Sequence, residues 1–239
     1  MSKQALMSMA IWVIGSFLTI LLFFVMLSVT ILLFPFDRKR KAAHSQCFWW
    51  SDVMIALNPY WDFKISGLEN IDKSRTYVVV ANHQSLADIV IVYQTKMQFK
   101  WVAKESLFKL PFLGWCMTLA RHIRISRGNY SSIKRVYREA ATWLKSGVSV
   151  LFFPEGTRSP DNEMKDFQNG AFKLAIKEHV PVLPISIKGT GGAIPKGSWL
   201  FKTKIPASLT VLPAIDTAQF KPADFAILRD LARSRLEAV

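Results

Sequence analysis

Acidic residues are scarce in this 239-residue chain: 17 Asp and Glu stand against 31 Lys and Arg, a formal charge of +14. Cysteine is scarcer. Cys47 and Cys116 are far apart, with no CxxC and no Cys/His cluster at metal-ligand spacing. That argues against a structural zinc site, and nothing in the spacing calls for a disulfide. No G-x-S-x-G occurs, so a serine-hydrolase nucleophile has no housing. The stretch "GTGGAIPKGS" (189 to 198) is glycine-rich. It lacks the Lys-Ser/Thr pair of a nucleotide loop and the spacing of a dinucleotide fingerprint, and reads as a turn after a strand. Internal repeats, low-complexity tracts and long linkers are missing too. Charge itself is missing from Gln4 to Phe36.

An excess of cations points to an anionic partner: nucleic acid, a membrane surface or phosphorylated substrates. Hydrophobic residues make up 51% of the chain, with eight Trp, and this favours membrane over nucleic acid. A helix of about 20 apolar residues crosses a hydrocarbon core of about 30 Å. The run from Gln4 to Phe36 is longer than that, too long for the apolar core of a signal peptide, and no small-residue cleavage site follows it. Pro35 and "DRKRK" (37 to 41) end it. Four basic residues on that flank, against Lys3 on the other, place the following domain on the cytoplasmic side of a membrane (the inner membrane, in a bacterium). Next, Ala43, Cys47, Trp50, Met54 and Leu57 fall at spacings of four and three, one face of a helix over about 40–57. With Trp49 beside it and Lys39, Arg40 and Lys41 before it, this reads as an amphipathic interfacial helix, or as a surface helix packed on the domain. Residues 1–58 are thus expected to anchor the chain, as a full span or as a hairpin dipping into one leaflet, and 59–239 to form an α/β domain.

In that domain, short apolar runs alternate with helical stretches. "YVVVANH", "FKWVAKE", "VSVLFFPEG", "VPVLPISIKG" and "SLTVLPAI" read as strands, several buried on both faces. "SSIKRVYREAATWLKSG" reads as a helix with a serine start and Gly147 as its stop. Further helices are expected over 168–178 and from about Asp224. The fold class is α/β, with a mixed, mostly parallel central sheet flanked by helices.

Two stretches carry candidate chemistry. In "VVVANHQSLADIV" (78 to 90) a buried strand runs into His83, with Asp88 five residues on. Ser85 to Asp88 has the form of a capping box, Ser85 at the N-cap. On one continuous helix, residues five apart point about 140° apart. With His83 in the preceding turn, the Asp88 carboxylate can fold back onto the imidazole and fix its tautomer. These residues alone leave that reading level with one in which Asp88 only caps a helix. In "LFFPEGTRSPD" (151 to 161), Pro154 ends strand pairing, Gly156 lets backbone approach a ligand, and Arg158 offers a planar fork suited to phosphate.

Together "NHQSLAD" and "FPEGTRS" resemble the glycerophospholipid acyltransferase family, most closely the 1-acylglycerol-3-phosphate acyltransferases, with their HxxxxD and EGTR blocks. "KWVAKESLFKLPFLGW" with "RISRGN", and "VPVLPISIKG", resemble two further blocks in the same order, over about residues 77 to 190. Ser126 departs from the pattern, standing before Arg127 where an acidic residue is common. The resemblance implies transfer of an acyl group from acyl-CoA or acyl-carrier protein to the 2-hydroxyl of lysophosphatidic acid, with His83 as general base and Asp88 as its orienter. Histidine titrates near about pH 6.5, which suits a base at neutral pH. Lys104, Arg127 and Arg158 are the expected phosphate ligands. Glu155, Gly156 and Thr157 belong by resemblance to the acceptor site, Glu155 through a glycerol hydroxyl or by steadying Arg158. No metal or organic cofactor is implied. The implied partners are membrane lipids and the two substrates, not nucleic acid. Rival readings are an acyltransferase acting on glycerol-3-phosphate or another lysophospholipid, and a non-catalytic protein that binds anionic lipid.

Overall fold

The computed structural model describes residues 2–159, 163–194, 197–201 and 205–239. Its strands are β1 (Trp61–Ser66), β2 (Val78–Ala81), β3 (Phe99–Lys104), β4 (Ile123–Ile125), β5 (Ser149–Phe152), β6 (Val182–Lys188) and β7 (Ile205–Val211). They form one sheet in the order β1-β7-β6-β2-β5-β3-β4. From β6 to β4 every pairing is parallel, whereas β7 runs antiparallel to β6 and carries β1 parallel to itself. The mixed, mostly parallel sheet flanked by helices is therefore as expected.

The helices are α1 (Lys3–Leu32), α2 (Lys41–Ala56), α3 (Ala87–Val92), α4 (Leu113–Leu119), α5 (Tyr130–Lys145), α6 (Gly170–Lys177) and α7 (Phe225–Glu237). Successive strand residues face opposite sides of a sheet. In β2, Val79 and Ala81 join a core with α1, α2 and α3, while Val78 and Val80 join a second core with α5, α6 and α7. This three-layer arrangement explains why the strand is apolar at every position. β1 reads less plainly in the sequence, because Asp62, Lys64 and Ser66 alternate outward on an edge strand. β4 has three residues on the opposite edge.

Two helix starts differ from expectation. α5 is capped by Asn129, whose side-chain oxygen accepts the Ser132 N–H at 3.1 Å, not by a serine. α3 begins at Ala87 with Leu86 at its N-cap and no side-chain cap, so Ser85 is not the cap residue. The Ser85 hydroxyl instead accepts the Ala87 N–H, at 3.3 Å.

The N-terminal helices do not stand apart from the domain. At about 1.5 Å per residue, α1 is about 45 Å long, and it is long and apolar enough to cross a membrane. Yet Ser8, Ile11, Gly15, Leu18, Leu22, Met26 and Thr30, spaced by three and four, form a buried stripe along it. Phe23 meets Phe112 and Trp115 beside α4. Near its start, Trp12 donates to the Trp199 carbonyl at 2.7 Å and the Phe201 N–H to the Ser8 hydroxyl at 3.0 Å. On α2, the face read as interfacial is turned inward: Ala43, His44, Cys47, Trp50 and Ser51 are buried, and the Ser51 hydroxyl donates to the Val90 carbonyl of α3. The surface-helix alternative describes α2 better. Below it, the buried Lys100 ammonium of β3 donates to the Lys39 and Ala120 carbonyls at 2.9 and 2.6 Å and lies over the Trp143 ring. Burial pulls that ammonium down to about 7. Both α1 and α2 thus share one core with the sheet.

The route of the chain creates the site. From β2 it crosses to β3, toward one edge; from the neighbouring β5 it crosses to β6, on the other side of β2. Between β2 and β5 the connections leave in opposite directions. Crevices at the carboxyl ends of strands at such a switch point are where open α/β sheets bind ligands.

Candidate active site

His83 follows β2 and Glu155 follows β5, so both lie at that crevice. His83 Nδ1 is 2.7 Å from Asp88 Oδ2. The same oxygen accepts the N–H groups of Gln84 at 2.7 Å and Ser85 at 2.9 Å. Asp88 therefore both orients the imidazole and satisfies the backbone ahead of α3. The two readings left level by the sequence are one structure. Its carboxylate is an acceptor, so Nδ1 carries the proton and Nε2 is left as the basic nitrogen. The Asp88 side chain is 0% exposed and that of His83 15%, so only the imidazole of the pair reaches the surface.

The turn after β5 grips His83 at three points. The Phe153 ring stacks on the imidazole, with centroids 4.0 Å apart and an 11° tilt. Glu155 Oε1 accepts the His83 N–H at 2.7 Å. The Ser159 N–H donates to the His83 carbonyl at 2.9 Å. Glu155 is buried, and its second oxygen accepts the Lys165 N–H at 3.0 Å. Burial holds its carboxyl above the usual carboxylate range, opposed by those two backbone donors. Each Glu155 oxygen thus accepts one backbone N–H, and among the described residues no ion pair joins it to Arg158.

Gly156, Thr157 and Arg158 form the arc between the Glu155 and Ser159 anchor points, each half-buried. Gly156 has φ +71, and a Cβ built there would meet nothing within 4 Å. Glycine is needed for the left-handed backbone, not for close packing against protein. Among the described residues Arg158 has no hydrogen-bond or ion-pair partner, so its guanidinium is free to take a ligand. Lys104 ends β3 and Arg127 follows β4, both exposed at the same carboxyl edge. Strands lie about 4.8 Å apart, so these cations are two and three strands from β2, farther along the edge than Arg158. Pro160 and Asp161 of the second stretch, and Pro195 and Lys196 of the glycine-rich one, lie outside the described residues.

The chain has four histidines. His44 and His122 are buried in the core; burial pulls His44 down to about 3 and holds His122 well below the usual histidine range. His179 is exposed, at a left-handed position after α6. Of the four, only His83 has a carboxylate on a ring nitrogen, and its side chain is partly exposed. Neither cysteine suits a nucleophile: both are buried and unpaired, and burial pushes each thiol up to about 12. Among the described residues, no group of three or more His, Cys, Asp or Glu is placed to hold a metal.

Local sequence did not reveal Thr190, whose hydroxyl donates to Asp88 Oδ1 from the turn after β6. Nor did it reveal Asn82, whose side-chain amide donates to the Ile187 carbonyl at 2.6 Å and accepts the Ile187 N–H at 2.8 Å, tying the end of β2 to β6. A polar residue flanking an otherwise apolar strand was the available signal for both.

A histidine held by a carboxylate on one ring nitrogen, at the carboxyl ends of neighbouring strands where the chain switches direction, forms a candidate catalytic site. The acyltransferase pattern matches residues 62–188, and the chain belongs to the acyltransferase family. It is 38% identical over 182 residues to a 1-acyl-sn-glycerol-3-phosphate acyltransferase of Chlamydomonas reinhardtii, covering 75% of this chain and 54% of that one. To the chloroplastic enzyme of that name from Arabidopsis thaliana it is 38% identical over 161 residues, covering 67% and 45%. The chain thus spans about half the length of these curated relatives. The Pseudomonas aeruginosa protein of the same name is 30% identical over 203 residues, covering 82% and 76%. The crystal structure of the 1-acyl-sn-glycerophosphate (LPA) acyltransferase PlsC from Thermotoga maritima superposes with a TM-score of 0.71 at 31% identity, covering 95% of each chain.

Proposed function

We propose that this chain moves a fatty acyl group from a thioester, acyl-CoA or acyl-carrier protein, to the 2-hydroxyl of 1-acylglycerol-3-phosphate, giving phosphatidic acid. The observation that carries the reading is the imidazole of His83, held at Nδ1 by Asp88 and partly exposed just past the end of β2. Nε2 takes the hydroxyl proton as the acceptor oxygen attacks the thioester carbonyl. The tetrahedral intermediate collapses, the C–S bond breaks, and the thiolate leaves with the proton returned from Nε2. Acid and base roles fall to one group, and no acyl-enzyme forms. Relatives named for this acceptor, together with Arg158 in the turn after β5, which has no ion-pair partner among the described residues, support the lysophosphatidate choice.

The test is acyl transfer in detergent or mixed micelles with lysophosphatidic acid, glycerol-3-phosphate and lysophosphatidylglycerol as alternative acceptors. Preference for glycerol-3-phosphate or for lysophosphatidylglycerol would overturn the acceptor assignment. Arg158→Ala is expected to raise the acceptor KM about 10- to 100-fold, the loss of one charge-assisted contact, with the donor KM near wild type. A rise confined to the donor would remove Arg158 from the phosphate site.

The same reading places the protein on a membrane, with the α/β domain on the cytoplasmic side. The outer face of α1 exposes Met9, Val13, Phe17, Leu21 and Phe24. Leu110, Leu113 and Trp115 extend that apolar surface beside it. Because the opposite face of α1 is packed on the domain, the helix lies in one leaflet with its outer face in lipid. Tags on the two termini, probed from each side of sealed vesicles, should both be reached from the same side; opposite sides would mean a full span.

A further inference from the structure

Asp88 is completely buried, and its two oxygens are served from different parts of the chain. Oδ2 takes the three N–H groups of His83, Gln84 and Ser85, all local. Among the described residues, Oδ1 has one donor, the hydroxyl of Thr190, 102 residues away. Thr190 is itself fully buried. Its Oγ1 also lies 3.3 Å from Gln84 Oε1, but a hydroxyl has one proton, and the shorter contact to the charged acceptor takes it.

Thr190 is held by more than this bond. Gly189 before it has φ +78, and a Cβ there would meet the Pro206 carbonyl at 2.2 Å, so the turn is pressed against β7. Three residues earlier, the Asn82 amide bridges the Ile187 backbone. Both ends of the Asp88–Thr190 link are therefore fixed to the sheet. A carboxylate held on one oxygen alone can rotate about its Cβ–Cγ bond; held on both, it presents Oδ2 to Nδ1 in one orientation.

We propose that Thr190 is a positioning residue of the transfer site. By locking the second oxygen of Asp88, it sets the angle at which His83 turns Nε2 toward the acceptor hydroxyl. The proposal rests on His83 as the base. A threonine that only anchors the turn after β6 would affect stability, not turnover per folded molecule.

The experiment measures kcat and both KM values, per folded enzyme by circular dichroism, for Thr190→Val, Thr190→Ser and His83→Ala in the full chain. Thr190→Val keeps the shape and removes the hydroxyl, and its kcat is expected to fall about tenfold with both KM values within about twofold of wild type. Thr190→Ser keeps the hydroxyl and is expected to restore kcat to within about twofold. Should valine not fold, Thr190→Ala removes the same hydroxyl from a smaller side chain, with the same loss expected. Wild-type kcat in the hydroxyl-free variant, or an equal loss in Thr190→Ser, overturns the proposal. His83→Ala separates the two levels. If it is inactive while Thr190→Val is unimpaired, only the role of Thr190 fails; if it retains full turnover, the base assignment fails first.

Discussion

His83→Ala is expected to lower kcat about 10²–10⁴-fold, the usual contribution of a positioned general base. The acceptor KM should change little, because the phosphate ligand proposed here is Arg158. The fold should survive. Two of the three grips on His83 act through its backbone, by way of Glu155 and Ser159, and an alanine keeps both. Asp88 would retain three of its four donors, those of Gln84, Ser85 and Thr190. Steady-state kinetics beside a thermal melt is the measurement. Undiminished kcat in a folded His83→Ala protein would remove the base from the mechanism, whatever the family.

Asp88→Asn comes second and isolates charge from shape. The asparagine oxygen can stand where Oδ2 stands and accept the His83, Gln84 and Ser85 N–H groups. Its amide nitrogen would then face Thr190, whose hydroxyl can turn round and accept. The tautomer of His83 is kept; what disappears is the negative charge that stabilises imidazolium while the proton is held. A loss of about 10²–10³-fold in kcat is expected, smaller than for a variant that reverses the tautomer, with little change in melting temperature. If Asp88→Asn matched wild-type turnover, Asp88 would be a helix-start ligand and nothing more. If it unfolded the protein, the neutral side chain would not be replacing the carboxylate as the geometry requires.

Glu155 marks the limit of what could be read locally. The family resemblance assigned it to the acceptor site without naming its backbone partners in the protein. The structure turns it inward, where its oxygens take the N–H groups of His83 and Lys165. Neither partner is a side chain, so no pairing of residue types could have announced them. The link to His83 crosses 72 positions and exists because β2 and β5 are neighbours. The interfacial reading of α2 failed in a similar way. A helix with one apolar face must bury it, but periodicity does not say whether lipid or protein covers it; here α1, α3 and the sheet do.

Much was open to inspection in the amino-acid order. Strands such as "YVVVA" are apolar at every position because both faces of the sheet are covered. The uncharged run from Gln4 to Phe36 could only be a helix with an apolar environment. Histidine, aspartate and arginine at strand ends were candidates because their chemistry is intrinsic to the side chain. What tertiary structure alone decided is which groups meet. Strand order is set by non-local pairing, and it brings the turns after β2, β5 and β6 to one edge. That edge joins His83 to Glu155 and Asp88 to Thr190. A side chain carries its own donors and acceptors wherever the chain places it, but their partners are chosen by the path of the backbone.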